Sequence, residues 1–400
     1  MKTTRFRSKF GEFANVLRHE YGHIFHDAGV ILIVIGAILI YATAYSFAYK
    51  NEVLRDVPVA VVDQSRTPQS RQLVRALDAT PNLDVAYKPT SLEEAKKLFF
   101  ERKINGVIVI PSDYEKKIMR NERVNLAIYA DASYFLMYRQ VFFDVMGSVL
   151  YSNSNIEWLR FVSKGAQPKQ AEALSNPVSM QVRNMYNPYG GYATFIMPAI
   201  LMVIIQQTLL IGIGMVGGTW REKRLYRTLI PAGEKRMSVV PMVLGKSTAY
   251  LSIYCVTLLY ILGFHYKLFG YPMNGSAADI VLFLVPYVLS CIFLGIAVSS
   301  LFKYRENSLL LMLFTSIPCL MLSGASIPPE SMPGWLYDAA KAIPSSSGVD
   351  GFIRIQTMGA TLSEVGTQLR TLWILTGVYF VLACLGTRNV LRRVERINPD

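Results

Sequence analysis

Charged residues are scarce in this sequence. Asp, Glu, Lys and Arg make up 17% of its 400 residues, against about 25% in an ordinary soluble domain, while apolar residues make up 52%. That balance reads as a membrane protein before any motif is considered. Cysteine is also rare. The four present, Cys255, Cys291, Cys319 and Cys384, all stand in apolar stretches, which excludes a disulfide framework or a cysteine zinc site in the polar region 49–192. There is no internal repeat and no low-complexity segment. A complete phosphate-binding loop is missing as well. Gly245-Lys246-Ser247-Thr248 has the end of one, but Val240 stands where the first glycine of G-x-x-x-x-G-K-S belongs. An apolar run also surrounds it, in place of the strand and soluble helix such a loop needs. ATP hydrolysis by this chain is therefore not expected. The net charge is +13, and its placement beside apolar runs argues for membrane topology rather than for a nucleic-acid partner.

A transmembrane helix needs about 20 mostly apolar residues. Six runs qualify, at roughly 29–48, 193–216, 239–263, 279–301, 306–325 and 369–387. Pro318 interrupts the fifth and Arg370 opens the sixth. Pro198 and Pro286 lie inside the second and fourth, where neighbouring helices re-satisfy the freed carbonyls. The first run follows a basic lead and has no small-residue cleavage site after it, so it reads as a retained span.

Lysine and arginine set the orientation. Lys2, Arg5, Arg7, Lys9 and Arg18 precede the first run. Arg221, Lys223, Arg224, Arg227, Lys235 and Arg236 separate the second from the third. Lys303 and Arg305 separate the fourth from the fifth, and Arg388, Arg392, Arg393 and Arg396 follow the sixth. The alternate loops carry only Lys267, Lys341 and Arg354. The expected fold is an α-helical polytopic membrane protein of six transmembrane helices with an inserted extracytoplasmic α/β domain. Residues 1–28 are a cytoplasmic lead and amphipathic interfacial helix, 29–48 the first span and 49–192 the inserted domain. Residues 193–387 hold spans two to six with a cytoplasmic loop at 218–238, and 388–400 form a basic cytoplasmic tail.

Within 49–192 strand and helix signals alternate. Val57 to Val62, Leu83 to Tyr87, Gly106 to Ile110 and Val124 to Tyr129 read as strands. Helices are expected from Thr67 to Ala79, from the capping box Ser91-Leu92-Glu93-Glu94 to about Lys103, from Tyr114 to Arg123, and from about Ser133 to Val162. Such alternation argues for a largely parallel sheet.

Four motifs carry chemistry or its imitation. His19-Glu20-Tyr21-Gly22-His23 matches H-E-x-x-H, which in a zinc peptidase supplies two ligands and a general base, with His26 a conceivable third ligand. The same segment also reads as an amphipathic helix, because Phe13, Val16, Leu17, Tyr21, Ile24 and Phe25 recur at helical spacing, while Gly22 weakens a catalytic helix. Gln206 and Gln207 stand midway through the second span, where polar groups turn from lipid toward a cavity or hydrogen-bond between helices. Gly212, Gly214, Gly217 and Gly218 follow and permit close helix packing. Trp220 to Pro231 is basic and reads as a short helix with Leu225, Leu229 and Ile230 on an apolar face, which suits docking better than a solvated loop.

Taken in order, these stretches resemble the membrane subunits of type 2 ATP-binding-cassette (ABC-2) exporters with a large extracytoplasmic domain between the first two spans. The match rests on several stretches. Arg18 to Asp27 lies before the first span, and Tyr186-Asn187-Pro188 with Phe195-Ile196-Met197-Pro198 opens the second. Arg221-Glu222-Lys223-Arg224 through Thr228-Leu229 and Pro231, then Leu244-Gly245-Lys246, follow. Ser323-Gly324, Pro328, Met332-Pro333, Trp335-Leu336 and Ile343-Pro344 come after the fifth. The family's G-T-x-E core is replaced here by Arg224-Leu225-Tyr226-Arg227-Thr228. The resemblance implies a permease, not an enzyme, in the bacterial inner membrane with both termini cytoplasmic. It implies cytoplasmic ABC ATPase subunits holding ATP and magnesium, a second permease copy or paralogue, and contact with membrane lipid. A periplasmic adaptor is a further candidate partner. ATPase coupling would fall to Glu222, Arg224, Leu225, Arg227, Thr228, Leu229 and Pro231, and the transport path to Met197, Gln206 and Gln207. No metal or catalytic residue is expected. The competing readings are a membrane zinc peptidase built on His19, Glu20 and His23, and a non-transporting scaffold whose outer domain binds a partner.

Overall fold

The computed structural model describes residues 2–50, 53–188, 190–226 and 238–397. The chain divides into two compact units, Val53–Arg183 and the pair of flanking stretches Met1–Glu52 and Asn184–Asp400.

Helix α1, Lys2–His26, leads into α2, Ala28–Ala48. Asp27 divides them by leaving the helical conformation and accepting hydrogen bonds from Gly29 N (3.0 Å) and Val30 N (3.2 Å). An aspartate immediately before an apolar run is the usual chemistry of a helix start. A π-helical turn, Leu32–Gly36, interrupts α2.

In the Val53–Arg183 unit, β1 (Val57–Asp63), α3 (Pro68–Asp78), β2 (Leu83–Tyr87), α4 (Leu92–Phe100), β3 (Gly106–Ile110), α5 (Tyr114–Met119), β4 (Ala127–Ala130), α6 (Phe135–Ser163) and α7 (Pro168–Ser175) follow in turn. The sheet order is β2-β1-β3-β4, with β1 parallel to β2 and β3, and β4 antiparallel at the edge. Side chains alternate across β1. Val59 and Val61 pack with Leu73 and Leu77 of α3 and Val141 of α6, while Ala60 and Val62 face Ala95 of α4. Thr67 and Ser70 cap α3 reciprocally. The expected box at α4 is half formed: Ser91 accepts from Glu94 N (3.2 Å), but the Glu94 carboxylate takes Thr90 N (2.9 Å) instead of Ser91 N.

The second unit continues with α8 (Tyr192–Glu222), α9 (Val239–Phe269, with a π-helical turn at Ile261–His265), α10 (Ala277–Ser299), α11 (Glu306–Leu322), α12 (Gly334–Ala340), α13 (Pro344–Gln356) and α14 (Gly366–Ile397). Among the described residues five helices are long and apolar enough to cross a membrane: α2, α8, α9, α10 and α14. The chain is thus a polytopic helical membrane protein. Of the six expected runs, the fifth falls short of that length: α11 has 17 residues and ends at Leu322, before a left-handed Gly324.

Helix α8 is the central element, buried along most of its length. Its glycines explain how neighbours approach. A side chain at Gly212 would meet Val34 of α2, one at Gly214 would meet Ser308 of α11, and a Cβ at Gly218 would stand 2.7 Å from Arg305 Cα. Helix α13 packs into the same unit by setting Gly348 and Gly351 against the Tyr287 and Phe283 rings of α10. Its residues, small and polar at the start, give no apolar run, so nothing in the local sequence marks it as buried.

Candidate functional site

Helix α1 lies along α9 where Gly245 leaves no side chain between them; a Cβ there would be 2.9 Å from Val16 Cβ. The glycine of the imperfect phosphate-loop match is therefore a packing residue. Its neighbour Lys246 turns inward. The Lys246 ammonium stands 3.7 Å from a Glu20 carboxylate oxygen and 4.3 Å from the Trp220 ring centre, with the Tyr226 ring at 5.7 Å. Tyr250 donates its hydroxyl to the other Glu20 oxygen at 3.1 Å. Glu20 is 1% exposed and Lys246 6%, so the pair sits out of water, and the aromatic faces supply a cation–π contact. Two motif fragments that looked unrelated in sequence are one buried joint.

Other charged groups at this end of the unit are also engaged. Glu12, buried, accepts from Ser238 N (3.1 Å) and Ser238 Oγ (3.4 Å) and so caps α9 from a neighbouring helix, placing negative charge at its N-terminus. Arg305 forms a two-pronged pair with Asp27, one contact at 2.9 Å. Hydrogen bonding from that guanidinium holds the Asp27 carboxyl below its ordinary range. Arg221 donates to the Phe302 carbonyl at 2.5 Å and to the Ser300 carbonyl. Helices α1, α2, α8, α9 and the α10–α11 connection are tied together at this level.

The histidines are arranged differently from a zinc peptidase. The His23 ring meets the Trp220 ring edge-on at 5.2 Å, and its burial lowers its proton affinity. His26 Nδ1 lies 2.8 Å from the Gly22 carbonyl, and Glu20 is occupied by Lys246 and Tyr250. Among the described residues no group of three or more His, Cys, Asp and Glu side chains is placed to hold a metal ion.

Of the residues expected to couple an ATPase, Glu222, Arg224 and Leu225 follow closely after Trp220. Helix α8 runs through Glu222 and stops, because Arg224 adopts a left-handed conformation (φ 53°) of the kind that commonly ends helices. The segment from Trp220 is thus not one continuous short helix. Glu222 and Arg224 are exposed and Leu225 is half-buried. Tyr226 folds back to meet Trp220 at 5.4 Å. Arg227, Thr228, Leu229 and Pro231 lie outside the described residues.

The three residues expected to line a transport path separate. Met197 is buried in the core. Gln206 accepts from Ser345 N at 2.8 Å and so holds the start of α13. Gln207 alone lines a cavity of about 510 Å³ between α2, α8 and α11, whose other walls include Tyr41, Tyr45, Thr208, Leu313 and Ile317. Both polar atoms of the Gln207 amide are buried without a hydrogen-bond partner. Sequence reasoning missed Trp220 and Tyr250 as members of the joint, and Glu12 and Asp27 as the charged groups paired near it. Only Asp27 carried a local signal, as a capping residue.

Residues 28–385 match the family described as ABC-2 family transporter protein. The probable multidrug ABC transporter permease YbhR of Escherichia coli strain K12 is 21% identical over 374 residues, covering 92% of this chain and 95% of that protein. The inner membrane transport permease YhhJ of the same strain is 22% identical over 339 residues, covering 84% of this chain and 86% of that protein. With the match running from the start of α2 into α14, this chain belongs to the ABC-2 family of transporter proteins.

Proposed function

We propose that the chain is the permease subunit of an exporter that works as a pair of such chains and is driven by a separate cytoplasmic ABC ATPase. The observation that carries this reading is the Glu20–Lys246–Trp220–Tyr226 joint at the foot of the basic 218–238 loop. A loop anchored by a buried, packed cluster passes a push on to the helices it joins; a loosely tethered loop absorbs it. The ATPase docks on the loop and on Glu222, Arg224, Leu225, Arg227, Thr228, Leu229 and Pro231.

Six crossings fit the charge distribution. Five would leave the basic N- and C-terminal ends on opposite faces, against the lysine and arginine bias. Helix α11, with 17 residues, reaches about 26 Å at 1.5 Å per residue, close to the about 30 Å of the hydrocarbon core. With α11 as the fifth crossing, both termini are cytoplasmic and the Val53–Arg183 unit is outside. The cavity lined by Gln207 is part of the substrate path. Its apolar walls and unsatisfied amide suit an apolar molecule with a hydrogen-bonding group, in keeping with the multidrug relative.

The test is the double variant Leu225→Asp/Leu229→Asp in the reconstituted complex with its ATPase. Transport and substrate-stimulated ATP hydrolysis are expected to fail together, while insertion and pairing persist. Normal coupling at normal protein levels would mean that the motion enters elsewhere, with α1 the next element to test.

A further inference from the structure

The Val53–Arg183 unit carries a cavity of about 380 Å³ at the carboxyl ends of β1 and β2, the edge at which open α/β sheets take their ligands. Arg66, Arg71, Arg75 and Lys88 surround it. All four are exposed, and among the described residues none forms an ion pair. Two acidic groups are near, and both are engaged. The Asp63 carboxylate accepts from Ser65 N (3.0 Å), Arg66 N (2.9 Å) and Ser70 Oγ (2.7 Å). The Glu94 carboxylate accepts from Thr90 N (2.9 Å) and Thr90 Oγ1 (3.2 Å).

The arrangement costs the fold more than the one hydrogen bond it returns, from Arg71 Nη1 to the Arg66 carbonyl. Arg71 and Arg75 stand one helical turn apart on α3, a spacing at which like charges repel. Arg66 is held at φ 54°, a conformation unfavourable for a residue with a Cβ. Asp63 fixes it from one side, and Arg71 Nη1 donates to its carbonyl at 2.8 Å. The N-terminus of α3 adds its partial positive charge.

We propose that this pocket binds a phosphate group, carried either by a free phosphate ion or ester or by an anionic lipid headgroup. Guanidinium groups pair with phosphate oxygens two at a time, and the bound anion cancels the Arg71–Arg75 repulsion. This assignment is independent of the permease reading, because it concerns only side chains of the Val53–Arg183 unit.

The test is calorimetric titration of the full-length protein in a nonionic detergent at physiological ionic strength. The two probes are inorganic phosphate and monomeric short-chain phosphatidylglycerol. Saturable binding of at least one is expected, weakened about tenfold or more in Arg71→Gln/Arg75→Gln, since each lost charge-assisted contact is worth about that factor. The control Arg120→Gln/Arg123→Gln, which removes two exposed cations elsewhere on the same unit, is expected to bind like the parent. Binding of inorganic phosphate alone assigns the free ion, and binding of the lipid alone assigns a headgroup. Absence of binding by both probes overturns the proposal, and so does equal weakening in the two double variants. A marked fall in the phosphate-free thermal stability of Arg71→Gln/Arg75→Gln would also overturn it, because these side chains would then be serving the fold.

Discussion

Replacing Lys246 by Met tests the buried joint directly. The change keeps the length of the side chain and its contact with Trp220 but removes the ammonium 3.7 Å from Glu20. Two unit charges at that separation attract by about 4 kcal/mol at an effective dielectric near 20, and a desolvated cation–π contact adds about 1–2 kcal/mol. Desolvation of each ion offsets most of this. The net worth of the intact pair is therefore small, whereas removing one member strands the other. Lys246→Met is expected to destabilise by about 3–5 kcal/mol, the usual penalty for an orphaned buried charge. Tyr250 still donates to Glu20 and keeps the loss at the lower end. The double variant Glu20→Gln/Lys246→Met leaves no charge and a neutral acceptor for Tyr250, so it is expected to recover more than half of the loss. The assay is a double-mutant cycle on unfolding in detergent, followed by tryptophan fluorescence with Trp220 as a local probe. Additive single losses, or a Lys246→Met protein as stable as the parent, would refute the reasoning.

Asp27→Asn keeps the cap on α2 but loses the Arg305 pair. Because the folded carboxyl is depressed, the pair's stabilisation is present above the unfolded value of about 4 and disappears as pH falls through the folded value. The stability gap between parent and variant is therefore expected to be constant from neutral pH to about 5 and to close below about 4, as read by unfolding midpoints across pH. Gly218→Ala places a Cβ 2.7 Å from Arg305 Cα. It is expected to cost about 1–3 kcal/mol through backbone displacement, visible as a lowered unfolding midpoint, whereas Gly263→Ala, with open space around it, is expected to cost nothing measurable. For topology, an impermeant thiol reagent outside sealed cells is expected to label Ser112→Cys and spare Ser238→Cys; the reverse pattern would invert the proposed orientation.

What could be read from the sequence follows the range of the forces involved. Long apolar runs announce α2, α8, α9, α10 and α14, because a span must satisfy its backbone internally and cover itself with apolar side chains. The strand runs at Val57 and Gly106 are equally plain, since a buried parallel strand is apolar on both faces, whereas Leu83 to Tyr87 gives a weaker signal because this edge strand buries only Leu83 and Val85. Helix α11 was harder, because the apolar pattern continues past Leu322 while the chain turns at Gly324. Helix α13 was invisible: its burial comes from Gly348 and Gly351 meeting aromatic rings of α10, and small residues advertise no face. The pairing of Glu20 with Lys246 had no local signature either. Each residue looked like part of a different catalytic motif, and only the packing of α1 on α9 brings them together.

That pairing bears on why a chain so poor in charge keeps some charges buried, Glu12, Glu20 and Lys246, and others half-buried, Asp27, Arg221 and Arg305. Glu12, Glu20, Asp27, Arg221, Lys246 and Arg305 each find a specific partner across a helix boundary. An apolar set of similar volume would hold the helices at least as strongly. It would also let them slide, because dispersion contacts are non-directional, whereas ion pairs and hydrogen bonds fix one register and penalise intermediates between two. A permease worked by a partner at one end needs an element that is rigid within each state and discrete between states. Along α8 the two levels differ. At its Trp220 end the charged groups are matched to neighbours, although Trp220 Nε1 is buried without a hydrogen-bond partner, and at Gln207, which lines the cavity, both amide atoms are buried without one. On the proposed reading the matched end receives the motion and the unmatched amide is where a passing molecule can substitute for it, so variants at Lys246 and at Gln207 should separate cleanly. Lys246→Met is expected to uncouple ATP hydrolysis from every substrate alike, while Gln207→Leu alters which substrates stimulate it and leaves basal hydrolysis intact.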